Sequence, residues 1–97
     1  MTCSLHRGAE LDLLEAAQFY RREGGARLAD RFLNEFERLV GLLTEFPEIG
    51  TPAGDARRVH PMRDFPYSVI YRPTAEHIRV LAVRHLHRDP AHGELRR

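Results

Sequence analysis

Lysine and tryptophan are absent from the 97 residues, and cysteine occurs once, at Cys3. A single cysteine forms no internal disulfide, so the core must hold without a covalent staple, as expected of a cytoplasmic protein. Serine occurs only at Ser4 and Ser68, and neither sits in a nucleophile motif. No apolar run approaches the roughly 18 residues a spanning helix needs. The start, Met1 to Gly8, has no apolar stretch of the secretory kind. The only glycine pair, Gly24-Gly25, is flanked by helical patterns, so no phosphate-cradling loop joins a strand to a helix.

With no lysine, all 15 cations are arginines, planar forks suited to carboxylate or phosphate. A genome rich in G and C produces the same bias, so the bias alone assigns no function. Apolar residues make up 42% and charged residues 30%, which excludes a wholly disordered chain. The length fits one domain, residues 1–97. A chain this short buries only about 60–70% of its unfolded surface, so a partner covering more apolar area would add to its stability.

The net charge of +1 hides an asymmetry. Residues 1–54 carry six Arg against nine acids, giving −3; residues 55–97 carry nine Arg against five acids, giving +4. Five of the six His lie in the basic half. Such a distribution favours an anionic partner for that half.

Thr2 to Arg7 alternates as a short strand, ended by Gly8. From Ala9 the period changes. Leu13, Ala16, Ala17 and Tyr20 fall on one helical face, with Glu10 and Asp12 in the first turn complementing the helix dipole. Gly24-Gly25 ends this helix. A second helix carries Phe32, Phe36, Leu39, Leu43 and Phe46 at spacings of four, three, four and three, and Pro47 stops it. The short connection predicts an antiparallel helical hairpin. Residues 47–54 read as loop, Ala56 to His60 as a weak strand, and Tyr67–Arg72 and Ile78–Leu86 as clear strands. The fold class is therefore α+β, ordered β-α-α-β-β-β, with the helical hairpin on one face of a mostly antiparallel sheet. The polar tail after Arg88-Asp89-Pro90 is expected to fray.

Strict alternation along the last strand places Ile78, Val80 and Ala82 under the helices. It places Arg79, Leu81, Val83 and His85 on the outer face, joined by Ile70. An exposed aliphatic patch of Ile70, Leu81 and Val83 beside Arg79 would be a docking surface for another chain.

Arg63, Arg84, His85, His87, Arg88 and His92, with Arg57 and Arg58 nearby, form the remaining chemical cluster. One reading is acid–base cleavage of RNA, with His moving the proton and Arg stabilising the phosphorane charge. Its candidate catalytic residues are Arg63, Arg84, His85, His87 and His92. The other reading is binding of an acidic surface by arginine forks. A third, purely structural, reading pairs these Arg with helix acids such as Glu35 and Glu37. His85 and His87, even with His60 and His92, fall short of a convincing metal set, so neither metal nor cofactor is expected.

Several stretches together resemble a known family. They are Ala9-Glu10-Leu11-Asp12-Leu13-Leu14-Glu15-Ala16-Ala17 leading to Phe19-Tyr20; Arg31-Phe32 with Glu35 and Phe46-Pro47-Glu48-Ile49-Gly50-Thr51-Pro52; Arg63-Asp64-Phe65-Pro66-Tyr67-Ser68-Val69-Ile70-Tyr71-Arg72; and Val83-Arg84-His85-Leu86-His87-Arg88-Asp89-Pro90. In this order they resemble toxins of the RelE/ParE superfamily, from bacterial type II toxin–antitoxin modules. The Phe-Pro-Tyr stretch and the Arg-Asp-Pro ending are closer to the ParE-like branch, although His87 stands where that branch more often has Arg. The resemblance implies a cytoplasmic toxin, often encoded on stability loci of plasmids, in a hetero-oligomer with a cognate antitoxin. It implies DNA gyrase as target, reached by protein contact through Arg84, His85, His87 and Arg88, with antitoxin contact at Ile70, Arg79, Leu81 and Val83. The alternative it carries is a RelE-like ribosome-dependent endoribonuclease acting on mRNA. That branch usually has a Tyr or His near the C-terminus; here no Tyr follows Tyr71, and Leu86 stands near the place of a catalytic Arg.

Overall fold

A computed structural model describes residues 1–87 and 91–97. The chain runs β1 (Thr2–Leu5), α1 (Arg7–Glu45), β2 (Thr51–Pro52), β3 (Arg58–Pro61), β4 (Tyr67–Pro73) and β5 (His77–His85). The five strands form one sheet in the order β1-β5-β4-β3-β2. β1 pairs parallel with β5, and the other neighbours are antiparallel. The two-residue β2 lies inside the stretch expected to be loop, paired through Thr51↔Val59 and Pro52↔Arg58.

The helix is not one rod. Its 39 residues would span about 58 Å if straight, whereas the molecule's longest dimension is 38 Å. The break is at Gly25, whose φ of 85° and ψ of −178° suit only glycine. The two arms fold back on each other, bringing the rings of Tyr20 and Phe32 to 5.2 Å. The expected helical hairpin is thus present, with its first arm starting earlier than expected. His6 caps that arm by accepting the Gly8 N–H at its Nδ1, 2.8 Å away, so Gly8 is helical rather than a breaker.

Both arms bury their apolar stripes against one sheet face. Ala9 and Ala16 come from the first arm and Phe32, Phe36, Leu39 and Leu43 from the second. They meet Val69, Tyr71, Ile78, Val80 and Val83. Tyr71 is fully buried, so its hydroxyl needs partners. It donates to the Pro47 carbonyl at 2.8 Å and accepts the Gly50 N–H at 3.0 Å. Arg58 adds bonds to the Glu48 and Gly50 carbonyls, and the chain leaving the helix is fixed in place.

Strict alternation along β5 fails. Tyr71 pairs with Val80 but Ile70 pairs with Ala82, so Leu81 is an extra residue in the ladder, a β-bulge. Beyond it the faces exchange. Val83, opposite Val69, joins the helix-packed core, while Ala82, opposite Ile70, faces outward. His85, opposite Tyr67, also lies on the helix side. The expected exposed patch of Ile70, Leu81 and Val83 does not exist: these residues are 5%, 0% and 2% exposed. Residues 91–97 cover the outer face, held by hydrogen bonds rather than frayed.

Candidate functional site

The first arm of α1 and the ends of β4 and β5 leave a groove of about 390 Å³ between them. Glu15, Gln18, Phe19 and Arg22 form its helical wall, and Tyr67, Val83 and His85 its sheet wall. A shallower extension reaches His87. Ring packing shapes the wall: Tyr67 and His85 meet edge to face at 4.9 Å, and His85 and His87 stand 5.2 Å apart. The His87 N–H donates to His85 Nδ1 at 3.0 Å, which places the neutral imidazole's proton on Nε2. Phe19 is 44% exposed and Leu86 66% exposed, so this end of the molecule presents apolar surface beside aromatic rings.

At the floor of this groove lies Asp12, a carboxylate only 8% exposed. Its Oδ2 accepts from the Val83 N–H at 3.1 Å and from Arg96 Nη1 at 2.7 Å, and its Oδ1 meets His92 Nε2 at 3.0 Å. Asp12 therefore ties the first helical arm, the edge of β5 beyond its pairing with β1, and the C-terminal segment together. Sequence reasoning missed it, treating Asp12 as a dipole-facing surface acid. The available signal was position: Asp12 falls between Ala9 and Ala16 at helical spacing, an acid on an otherwise apolar stripe.

The Arg/His cluster expected from sequence is divided. His85 and His87 share the groove wall. Arg84, opposite Ser68, lies on the outer face with His92 beside a second groove of about 510 Å³. Arg63 stands apart in the β3–β4 turn, where its backbone N–H donates to Glu35 Oε2 at 2.6 Å. Arg38 holds the same carboxylate at 2.6 Å. The Arg38 hydrogen bond, helped by the Arg63 N–H, pulls the Glu35 carboxyl below its ordinary range against the opposing effect of burial. Arg88 lies outside the described residues. Arg79 projects from the outer face, donating through Nη1 to Ser4 Oγ and through Nε to the Arg97 main-chain oxygen, each at 3.0 Å. Among the described residues no three His, Cys, Asp or Glu side chains converge on a metal-sized site. No helix among them is long and apolar enough to cross a membrane.

A family model described as the ParE toxin of the type II toxin–antitoxin system parDE matches residues 4–90. The chain belongs to the ParE toxin family. The ParE-like placement made from the four sequence stretches therefore holds. Among curated ParE relatives is Toxin ParE2 of Mycobacterium tuberculosis, in strains CDC 1551 and H37Rv. Each is 34% identical over 87 residues, covering 89% of this chain and 82% of the relative. A solved structure described as a chromosomal ParDE toxin–antitoxin system from P. aeruginosa superposes with a TM-score of 0.76 at 20% identity. It covers 88% of this ParE-family chain and 95% of the other, a likeness that concerns the fold.

Proposed function

We propose that residues 1–97 act as one toxin unit that a cognate antitoxin keeps inactive, and that the free chain blocks DNA gyrase by protein–protein contact. Both partners are cytoplasmic, and the reading places this chain with them. The observation that carries contact over catalysis is the division of the Arg/His cluster. Arg84 lies on the outer face, His85 and His87 line the groove, Arg63 is at Glu35, and His92 is bonded to Asp12. An acid–base centre for RNA cleavage needs its groups within hydrogen-bond reach of one phosphate. The exposed Phe19 and Leu86 at the groove end, with His85 and His87, make the proposed gyrase-facing surface; Arg84, on the outer face, lies apart from it, and Arg88 lies outside the described residues. Apolar anchors rimmed by charge are the usual composition of such a contact. The antitoxin surface is proposed on the outer face around Arg79; Ile70 and Leu81, at 5% and 0% exposed, back it from beneath. Val83 is left out because its side chain belongs to the helix-packed core.

The test is direct. Purified chain is assayed for inhibition of gyrase supercoiling and, in parallel, for cleavage of ribosome-bound mRNA. The expected result is loss of supercoiling activity with mRNA intact. Its reversal by an added antitoxin of the ParD kind would support the antitoxin half of the reading. Cleaved mRNA with undisturbed supercoiling would replace the gyrase reading by the ribonuclease one.

A further inference from the structure

The free edge of the sheet brings Thr2, Ser4, His77 and Arg79 together. β1 pairs parallel with β5, which sets Thr2 beside His77 and Ser4 beside Arg79. Alternation along each strand turns these four to the outer face, away from Cys3, Leu5 and Ile78, which pack on the core. Both ring nitrogens of His77 are engaged: Nδ1 meets Thr2 Oγ1 at 2.5 Å and Nε2 meets Ser4 Oγ at 2.8 Å. Arg79 Nη1 donates to the same Ser4 Oγ at 3.0 Å. We propose that Ser4 and His77 form a nucleophile–base dyad that takes the acyl group of an acyl phosphate, with Arg79 and Arg72 holding the phosphate.

Each role follows from a contact. Arg79 already fills one lone pair of the Ser4 oxygen, which favours donation of the hydroxyl proton to His77 Nε2. The His77 Nδ1–H then donates to Thr2 Oγ1, which fixes the tautomer and the ring plane, so Thr2 is a positioning residue. In the reaction Ser4 Oγ attacks the acyl carbon and forms a C–O bond to it, while its proton passes to His77 Nε2. The C–O bond to the phosphate breaks, inorganic phosphate leaves with the bonding pair, and His77 returns the proton to it. The dyad has no local motif to announce it, because Ser4 and His77 lie 73 residues apart in sequence.

Charge selects an anionic acyl donor over a neutral ester. Arg72 and Arg79 stand directly opposite each other across β4 and β5, a like-charge pairing that a bound phosphate relieves. A guanidinium has five N–H donors, and Ser4 and the Arg97 main-chain oxygen engage Arg79 through two of its nitrogens. Donors therefore remain for a charge-assisted bond to a phosphate oxygen. Asp55 meets Arg72 at 3.2 Å in an exposed pair, the acid a phosphate would compete with. The site is open to a small substrate. Ser4, His77 and Arg79 are half-buried and Thr2 is exposed, lining a groove of about 430 Å³ with Met1, Ala75 and Glu76.

The test uses the full chain and acetyl phosphate. The chain has no lysine, so no lysine amine competes for the acetyl group. After incubation the tryptic peptide Met1–Arg7 is sequenced by tandem mass spectrometry. The acetyl group is expected on Ser4, at a rate that saturates with acetyl phosphate, and Ser4→Ala is expected to lose it. His77→Gln is expected to lower the rate about a hundredfold. Thr2→Val is expected to lower it several-fold and Thr2→Ser to restore it, a rescue that marks positioning through the hydroxyl. Arg72→Gln, which leaves the bonds of the dyad intact, is expected to raise the half-saturating concentration of acetyl phosphate several-fold and to leave acetylation by phenyl acetate unchanged. Wild type unfolded in urea is expected to lose the labelling, which keeps the test decisive where His77→Gln fails to fold. Acetyl on Cys3 or the amino terminus with Ser4 unmodified would overturn the proposal. So would phosphate in place of acetyl on Ser4, or an unchanged rate in a folded His77→Gln.

Discussion

Asp12 shows how much one buried carboxylate can organise. It accepts from three donors, two of them on a segment more than 75 residues away in sequence. Asp12→Ala would leave the Val83 N–H without its acceptor and the Arg96 guanidinium with the Leu81 carbonyl in place of a carboxylate. Breaking such a buried arrangement costs about 3 kcal/mol, far more than the side chain's lost contacts alone. Urea unfolding should show a lower midpoint at unchanged slope, and a variant as stable as wild type would show that solvent replaces these bonds. Glu35 allows a prediction about acid. Its folded carboxyl titrates below its unfolded value of about 4.3, so its stabilising effect is complete above that pH. The effect fades as pH falls through the lower folded value. Glu35→Gln should therefore flatten the stability profile below roughly pH 4.5, by about 0.5–1 kcal/mol because the pair is near the surface. Thermal melts at pH 3 to 7 check this, and an acid limb identical to wild type would count against the Arg38–Glu35 pair mattering.

The helical arms depend on one backbone position. Gly25→Ala meets no steric neighbour, since nothing lies within 4 Å of the added Cβ, so its cost is purely conformational. At φ 85° and ψ −178° that cost is about 1–3 kcal/mol. The contrast is Gly41→Ala, helical and equally open, which should stabilise by about 0.5–1 kcal/mol. If both substitutions have the same sign in a denaturant titration, the hairpin does not turn on Gly25. The two arms were legible in the sequence because helical period is a local property: Phe32, Phe36, Leu39 and Leu43 announce their shared face without knowledge of any partner. The bulge at Leu81 was not, because a bulge is defined by register against a neighbouring strand. Ile78 to Val83 reads equally well as six regular residues, and only the pairing of both Tyr71 with Val80 and Ile70 with Ala82 reveals the extra one. That single residue exchanged the faces of Ala82, Val83 and His85. The two-residue β2 was equally hidden, since Thr51-Pro52 carries turn composition and pairs only because β3 lies beside it.

Taken together, the family was legible from four short stretches, whereas the geometry of the candidate site was not. The tail looked polar and idle; the Asp12 contacts and the Arg57 and Arg79 bonds that hold it all span the fold. His92 belongs to that tail, and this changes what a histidine scan should find. In a ribonuclease, loss of the proton-transferring His lowers the cleavage rate roughly 10² to 10⁴-fold, with a rate that bends near the imidazole pKa. In a gyrase-binding toxin the three histidines should behave differently from one another and none should be indispensable. His92→Ala removes one of the Asp12 bonds and should act through the C-terminal segment, speeding hydrogen exchange in residues 91–97 with little change in toxicity. His85→Ala removes a ring packed on Tyr67 and the acceptor of the His87 N–H, so it should reshape the groove wall. A weakening of gyrase inhibition by about 1–2 kcal/mol is expected, the size of a lost aromatic contact and one hydrogen bond. His87→Ala, at the exposed end of the same wall, should cost less. Inhibition by wild type should vary little between pH 6 and pH 8. The same three variants assayed on ribosome-bound mRNA complete the comparison. A folded His85→Ala or His87→Ala that abolishes mRNA cleavage present in wild type would assign the groove to catalysis and end the gyrase reading.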